Sequence, residues 1–439
     1  PSGTTVVNNG SQTGFGRTGT VNWVTTVKTT GFTAVSGEGY FCNTAGGAFT
    51  LTLPSSPSAG DIVGLKDYNG NFATANLTIG RGGSPINGAN AADPVISTAG
   101  ASIFLVYVDA SQGWVATQDD SSTFTGESFI CASVSGACNT LVTAPCCANT
   151  KIATFKGPGT FTVNQAASCA SNNLVSYLIV AGGSGGGYDR AGGGGAGGFR
   201  EVKSPVTPYT ASPLDGYGTP GNRVTVTAQG YAVVVGAGSG AGTGPSRPPN
   251  GSDSSFGGIT AAGGGGAGSP GATSGNPGGS GGGARDIAAS GGNGNDPATT
   301  PAQGQNGGSS TGNQSGPGGG GGGALQTGFD GQGNPSVPTM GDGGDGASTL
   351  INPATGEGGP GPSQYYAGGG GSGGGGSVTA GGEGGLGGGG NGAGNSGPAS
   401  VAGIANTGGG GGAGNGGTCG FQNGAAGGSG IVIIRYKFQ

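Results

Sequence analysis

The chain contains no histidine, one methionine and two tryptophans, and only 8% of its 439 residues are charged. Without histidine, the familiar triads and the usual mixed zinc sites are excluded. Fourteen basic residues against nineteen acidic ones leave a net charge of −5, so no basic face is available for nucleic acid. From 204 to 434 the only basic residues are Arg223, Arg247 and Arg285. No apolar run approaches the roughly 18 residues of a membrane-spanning helix. The first residues carry neither the basic nor the apolar stretch of a signal peptide, and Pro1 is what a Met-Pro start leaves after methionine removal. The expectation is a chain outside the general secretory route, or one whose signal has been removed.

What the chain has in excess is glycine: 116 residues, of which 93 follow position 180. Ordinary globular chains hold about 7%. Collagen needs glycine at every third position without interruption, and runs such as 318–323 and 368–371 break that period. Seven cysteines are present, at 42, 131, 138, 146, 147, 169 and 419. Their spacing fits no standard zinc pattern and allows one or two local disulfides.

Residues 1–22 lack a hydrophobic period and read as a docking peptide. From 23 to 120, short alternating runs such as Ala48-Phe-Thr-Leu-Thr-Leu53 and Ile103-Phe-Leu-Val-Tyr-Val108, separated by turn formers, predict a small β module. Residues 121–150 read as a Cys-rich connector. The segment 151–439 reads as a glycine-rich domain with a β framework at 151–180, 223–236 and 430–437. The strand Ile431-Val-Ile-Ile-Arg-Tyr436 lies at the far end of the sequence from Val175-Ser-Tyr-Leu-Ile-Val180, so the framework brackets the glycine runs. Between them, 181–222 and 237–429 hold rods and loops. Eight runs qualify as rods: 182–187, 192–198, 263–268, 278–283, 318–323, 368–376, 381–390 and 408–417. Fixing a glycine costs about 0.5–1 kcal/mol more than fixing an alanine. Only dense packing offsets that, and helices of three residues per turn, rising about 3.1 Å per residue, allow backbone to pack on backbone. The expected fold is therefore all-β plus a polyglycine II helix bundle, with no significant α-helix.

Two segments resemble a known family. Trp23-Val-Thr-Thr-Val-Lys28, Gly37-Glu-Gly-Tyr40, Leu77-Thr-Ile-Gly-Arg81 and Gly113-Trp114 resemble a β module of bacteriophage tail fibres and other virion appendages, marine and cyanobacterial phages especially. Tyr177-Leu-Ile-Val-Ala-Gly-Gly183, Ala196-Gly-Gly-Phe-Arg200 and Gly427-Gly-Ser-Gly430 with the strand after it resemble the glycine-rich domain of phage receptor-binding proteins. The resemblance implies a virion fibre or adhesin, a homotrimer. It would dock on another virion protein through residues 1–22 and bind a host surface glycan or outer-membrane protein through its loops, without catalysis or cofactor.

The longest stretch between rods, 325–366, supplies the candidate contacts Phe329, Asp330, Asn334, Met340, Tyr365 and Tyr366. Aromatic faces beside Asn and Asp suit sugar or loop recognition; the competing reading is that these aromatics cap the rods. Tyr188, Asp189 and Arg190 interrupt the first rods and read as structural. Residues 291–296 begin like a calcium-binding nonapeptide, but the motif occurs once and Pro297 follows it. A structural virion fibre or capsid decoration without receptor binding, a depolymerase, an ice-binding protein and a matrix protein are the other classes this composition permits.

Overall fold

A computed structural model describes residues 21–438 except 89–92, 120–128, 146, 312–315, 333–339, 376–379, 396 and 418–419. The chain is all-β and divides into two compact units, Pro1–Ser128 and Phe129–Gln439. Helix among the described residues is limited to three short 3₁₀ turns at Ala170–Asn173, Gly216–Gly218 and Pro220–Asn222.

In the first unit, the first six strands alternate between two sheets, and the last three are added as antiparallel neighbours. One sheet orders Asn22–Lys28, Glu38–Cys42, Ile62–Asp67, Ser102–Asp109 and Gly113–Asp119; the other orders Phe32–Thr33, Phe49–Thr52, Leu77–Gly80 and Val95–Ile96. The first three strands of each pair in parallel, because each turn hands the chain to the other sheet before it returns. Inward positions of both sheets, among them Tyr40, Leu51, Leu53, Leu65, Ile79, Leu105 and Trp114, make one core. Cys42 is fully buried in that core, and burial, helped by the nearby Asp67 charge and opposed by Lys28, pushes its thiol up to about 12. Cys131 and Cys138, in the second unit, are exposed thiols. A thiol reagent at pH 8 is expected to label Cys131 and Cys138 and to reach Cys42 only after denaturation, because the thiolate is the reacting form; peptide mass spectrometry reads the outcome. Cys42, Cys131, Cys138 and Cys147 are unpaired, so the local disulfides allowed by the spacing do not form among these four.

The second unit starts on a sandwich. One sheet runs Thr140–Ala144, Cys147–Phe155, Ile431–Lys437, Leu174–Val180 and Phe199–Val202; the facing sheet runs Cys131–Val134, Gly159–Gln165, Gly230–Val234, Ser254–Phe256 and Ile259–Ala261. Between them pack Phe155, Phe161, Tyr177, Phe256, Val432, Ile434 and Tyr436. The opposite face of the first sheet, with Leu178, Val180, Ile431 and Ile433, packs on Ala196, Phe199, Ala324, Ala347, Ile351 and Tyr366. Burial on both faces explains why these two strands are apolar almost throughout rather than alternating. The supposed connector is corrected here: three strands between 131 and 155 belong to the sandwich, because Thr140-Leu-Val-Thr143 pairs in antiparallel register with Lys151–Thr154. The strands Phe199–Val202, Ser254–Phe256 and Ile259–Ala261 also extend the framework beyond its predicted parts.

The glycine runs leave this sheet as rods whose backbone bonds go to other segments and repeat every third residue. In the run 192–198, Gly192 and Gly195 donate to Gly268 and Gly265, Gly193 and Ala196 to Gly319 and Gly322, and Gly194 and Gly197 to Gly411 and Gly408. The same run accepts from Ser184 and Gly187, from Ser280 and Gly283, and from Gly370, and Ala191 just before it accepts from Gly373. It is enclosed on all sides by parallel and antiparallel neighbours, the bonding that packed helices of three residues per turn make. The runs 318–323 and 368–373 are enclosed in the same way. Segments with fewer glycines join them, including 303–310, 326–331, 341–346 and 422–430. The stretch 325–366 therefore contains two segments of the bundle and is not one loop. The run 381–390 is not one rod either: it reverses at a turn through 386–388, where Gly387 and Gly388 take φ of +105° and +92°. The last two glycines of 408–417 form a short strand, Gly416–Gly417.

Candidate functional site

Rods 181–187 and 422–430 run directly out of the strands Leu174–Val180 and into Ile431–Lys437, which fixes one end of the bundle at the sheet. At the other end Gly187 bonds to Gly192, Gly414 to Gly187, Gly242 to Gly186, Gly268 to Gly283 and Gly319 to Ala284. The turns at 188–190, 243–247, 269–274 and 286–289 and the paired strands Gly416–Gly417 and Gly420–Phe421 are thereby gathered on one distal face.

The centre of that face is a ring of four charges. Asp189 and Arg190 reverse the chain in left-handed conformations, with φ of 58° and 50°. Arg285 Nη2 lies 3.0 Å from Asp189 Oδ2 and its Nε 3.3 Å from Asp286 Oδ1. Arg190 Nε lies 3.2 Å from Asp189 Oδ1 and 3.5 Å from Asp286 Oδ2. Main-chain bonds reinforce the ring: Arg285 Nε donates to Asp189 O, Asp286 N to Arg190 O and Asp189 N to Gln422 O. Asp286 is almost wholly buried, and that burial raises its carboxyl above the usual range although Arg285 and Arg190 pull it down. A Cβ at Gly416 would fall 1.8 Å from Asp189 Oδ1, so any side chain there would displace that carboxylate from the ring. The two positive and two negative charges match, so the ring serves to hold turns from separate rods in a fixed arrangement. Above it Tyr188 and Phe421 approach with ring centroids 6.0 Å apart, and Phe421 is 63% exposed.

The residues singled out from sequence divide between the two ends. Phe329 is exposed on the segment 326–331, while its main chain bonds to Asp342 and Gly320. Asp330 Oδ1 accepts from Ser309 N at 2.7 Å, which commits that oxygen to packing. Met340 is half-buried where the next rod begins, and Asn334 lies outside the described residues. Tyr365 and Tyr366 sit at the sheet end instead, in the strand Gln364–Tyr366. Tyr366 is a correction: its ring is fully buried in the sheet-end core and its hydroxyl donates to Thr355 O at 2.7 Å, so no receptor can reach it. Neighbouring strand residues face opposite sides, and only half-buried Tyr365 points away from that core. Residues 291–294, the start of the calcium-like motif, are used in packing: Gly292 donates to Gly282 and accepts from Gly307. Asn295 Oδ1, next in sequence, accepts from Thr299 N and Gln303 N.

Sequence reasoning did not assemble the charged ring. Its signal is the repeat of an Asp–Arg or Arg–Asp pair one residue after a glycine run, at 189–190 and 285–286, in a segment nearly free of charge.

A family model described as a glycine-rich domain matches residues 154–437. The chain belongs to this family. The matched span of the glycine-rich domain takes in the rods, the charged ring and the closing strand, and leaves out the strands Cys131–Val134 and Thr140–Ala144 that complete its sandwich. No curated protein matches the chain.

Proposed function

We propose that the protein is a phage virion fibre or adhesin that attaches without catalysis to a host-cell surface receptor through the distal turns of its glycine-rich domain. The observation that carries this reading is the gathering of turns from many rods onto one face, held by the Asp189–Arg190–Arg285–Asp286 ring beneath the exposed Phe421. A rigid face of adaptable turns with aromatic anchors suits recognition, since little ordering remains to be done on binding. Within the proposal, residues 1–22 dock on another virion protein, and a homotrimeric fibre multiplies a weak contact into firm adsorption. The receptor is a surface glycan or an outer-membrane protein.

The test is competition: purified full-length protein is expected to bind susceptible cells and to reduce phage adsorption. Phe421→Ala is expected to weaken cell binding by about 10-fold or more, as loss of an exposed aromatic anchor does, while leaving the melting temperature unchanged. A protein that neither binds cells nor competes would be a structural fibre, and the attachment reading would fall.

A further inference from the structure

At the sheet end, away from the distal face, a cavity of about 460 Å³ opens between the hairpin around Pro145, the loop carrying Pro208 and Tyr209, and the segment carrying Leu350 and Pro353. That volume lies within the range of about 300–1,000 Å³ typical of small-molecule pockets. Its walls are almost wholly apolar, and prolines supply no N–H groups to them. The charged member of the lining is Arg435.

Arg435 follows Ile431 and Ile433 on the same face of the central strand and is only 3% exposed. Its guanidinium donates to two main-chain oxygens, Pro208 O at 2.9 Å and Ile351 O at 3.3 Å, and lies 5.3 Å from the Tyr209 ring centre. Its Nε has no hydrogen-bond partner. Glu201, a buried carboxylate of the same unit, has its two oxygens engaged elsewhere, by Thr349 Oγ1 at 2.6 Å and Ser212 N at 2.8 Å. A buried cation answered by dipoles alone is costly. In an apolar pocket the few polar groups fix the polar end of the occupant.

We propose that this cavity binds a small apolar molecule carrying one carboxylate, with Arg435 as the counter-ion and Tyr209, Leu350 and the prolines enclosing its body. The site is independent of cell attachment and stands or falls separately from it. The probes are 3-phenylpropionate and its neutral amide, titrated by calorimetry into the full-length protein. Saturable binding of the acid is expected, at least about 10-fold tighter than the amide, as a charge-assisted bond to guanidinium requires. Leu350→Trp, which fills the cavity, is expected to abolish binding with the melting temperature kept. Arg435→Met is expected to remove the preference for the acid; if that variant does not fold, Leu350→Trp and the acid-to-amide ratio decide. Absence of saturable binding, equal affinity for acid and amide, or unchanged binding by Leu350→Trp would each overturn the proposal.

Discussion

Replacing Gly321 by alanine is expected to unfold the rod bundle, at a cost of about 4 kcal/mol or more. A Cβ at that position would fall 1.9 Å from Gly194 O and 2.5 Å from Gly194 C, where no real Cβ contact is that short. In a side-chain core an added methyl group is relieved by rotamer changes. Here the obstructing atoms are main chain, and Gly194 is itself bonded to Gly411 and Gly370, so relief in one direction breaks bonds in another. The contrasting substitution is Gly240→Ala, where nothing lies within 4 Å of the new atom. That change is expected to be neutral or to stabilise by about 0.4–1 kcal/mol through the unfolded state. Thermal unfolding of the two variants checks the argument; Gly321→Ala melting at the wild-type temperature would mean that the rods are not packed as described. The first unit, whose core holds no rod, is expected to keep its own transition in both variants.

Arg285→Ala carries the second large effect. It leaves Asp189 and Asp286 buried around the single guanidinium of Arg190, and removing one partner of a buried charge network costs about 3–5 kcal/mol. The pH dependence follows from Asp286. Its folded carboxyl already lies above the ordinary range because of burial, so the group favours the folded state in acid and loses that advantage as pH rises through its raised value. Without Arg285 the carboxyl moves higher still, and the deficit of the variant is expected to be larger at pH 8 than at pH 5. Melting curves at the two pH values test this; a deficit independent of pH would show that Asp286 is not ionised against Arg285. Arg223→Ala serves as the control, because that exposed side chain stacks on Tyr217 at 4.3 Å and lies outside the ring. Its loss is expected to cost under about 1 kcal/mol.

Much of this architecture is legible in the residue order, and the illegible parts have a common cause. Alternation in Ala48–Leu53 and the continuous apolar runs at 175–180 and 431–436 announce strands because side chains make those contacts. Parallel pairing in the first unit is invisible, since Phe49–Thr52 reads the same whichever neighbour it takes. The bundle is legible where glycines are contiguous, as in 192–198, and hidden in 303–310, where Gln305 and Asn306 still bond through their main chain. Backbone packing asks only that a Cβ point into a gap, so it writes little into the sequence. The site suffers from the same limit: Tyr365 and Tyr366 are adjacent and chemically alike, and only the pairing of their strand with Ala347–Thr349 and Glu357–Gly358 decides which one is buried. Asp189 and Arg285 meet across 96 positions because two rods end side by side.

The strand Ile431–Lys437 lies between Cys147–Phe155 and Leu174–Val180 and pairs with both. During synthesis the two outer strands emerge first, and more than two hundred residues separate them from the partner that joins them. On the ribosome they therefore wait with open edges while the rods are made, and the sandwich closes only once Ile431–Lys437 has emerged. Translation that stops short of Ile431 leaves a chain with two exposed sheet edges, a substrate for chaperones and proteases rather than a shortened folded unit.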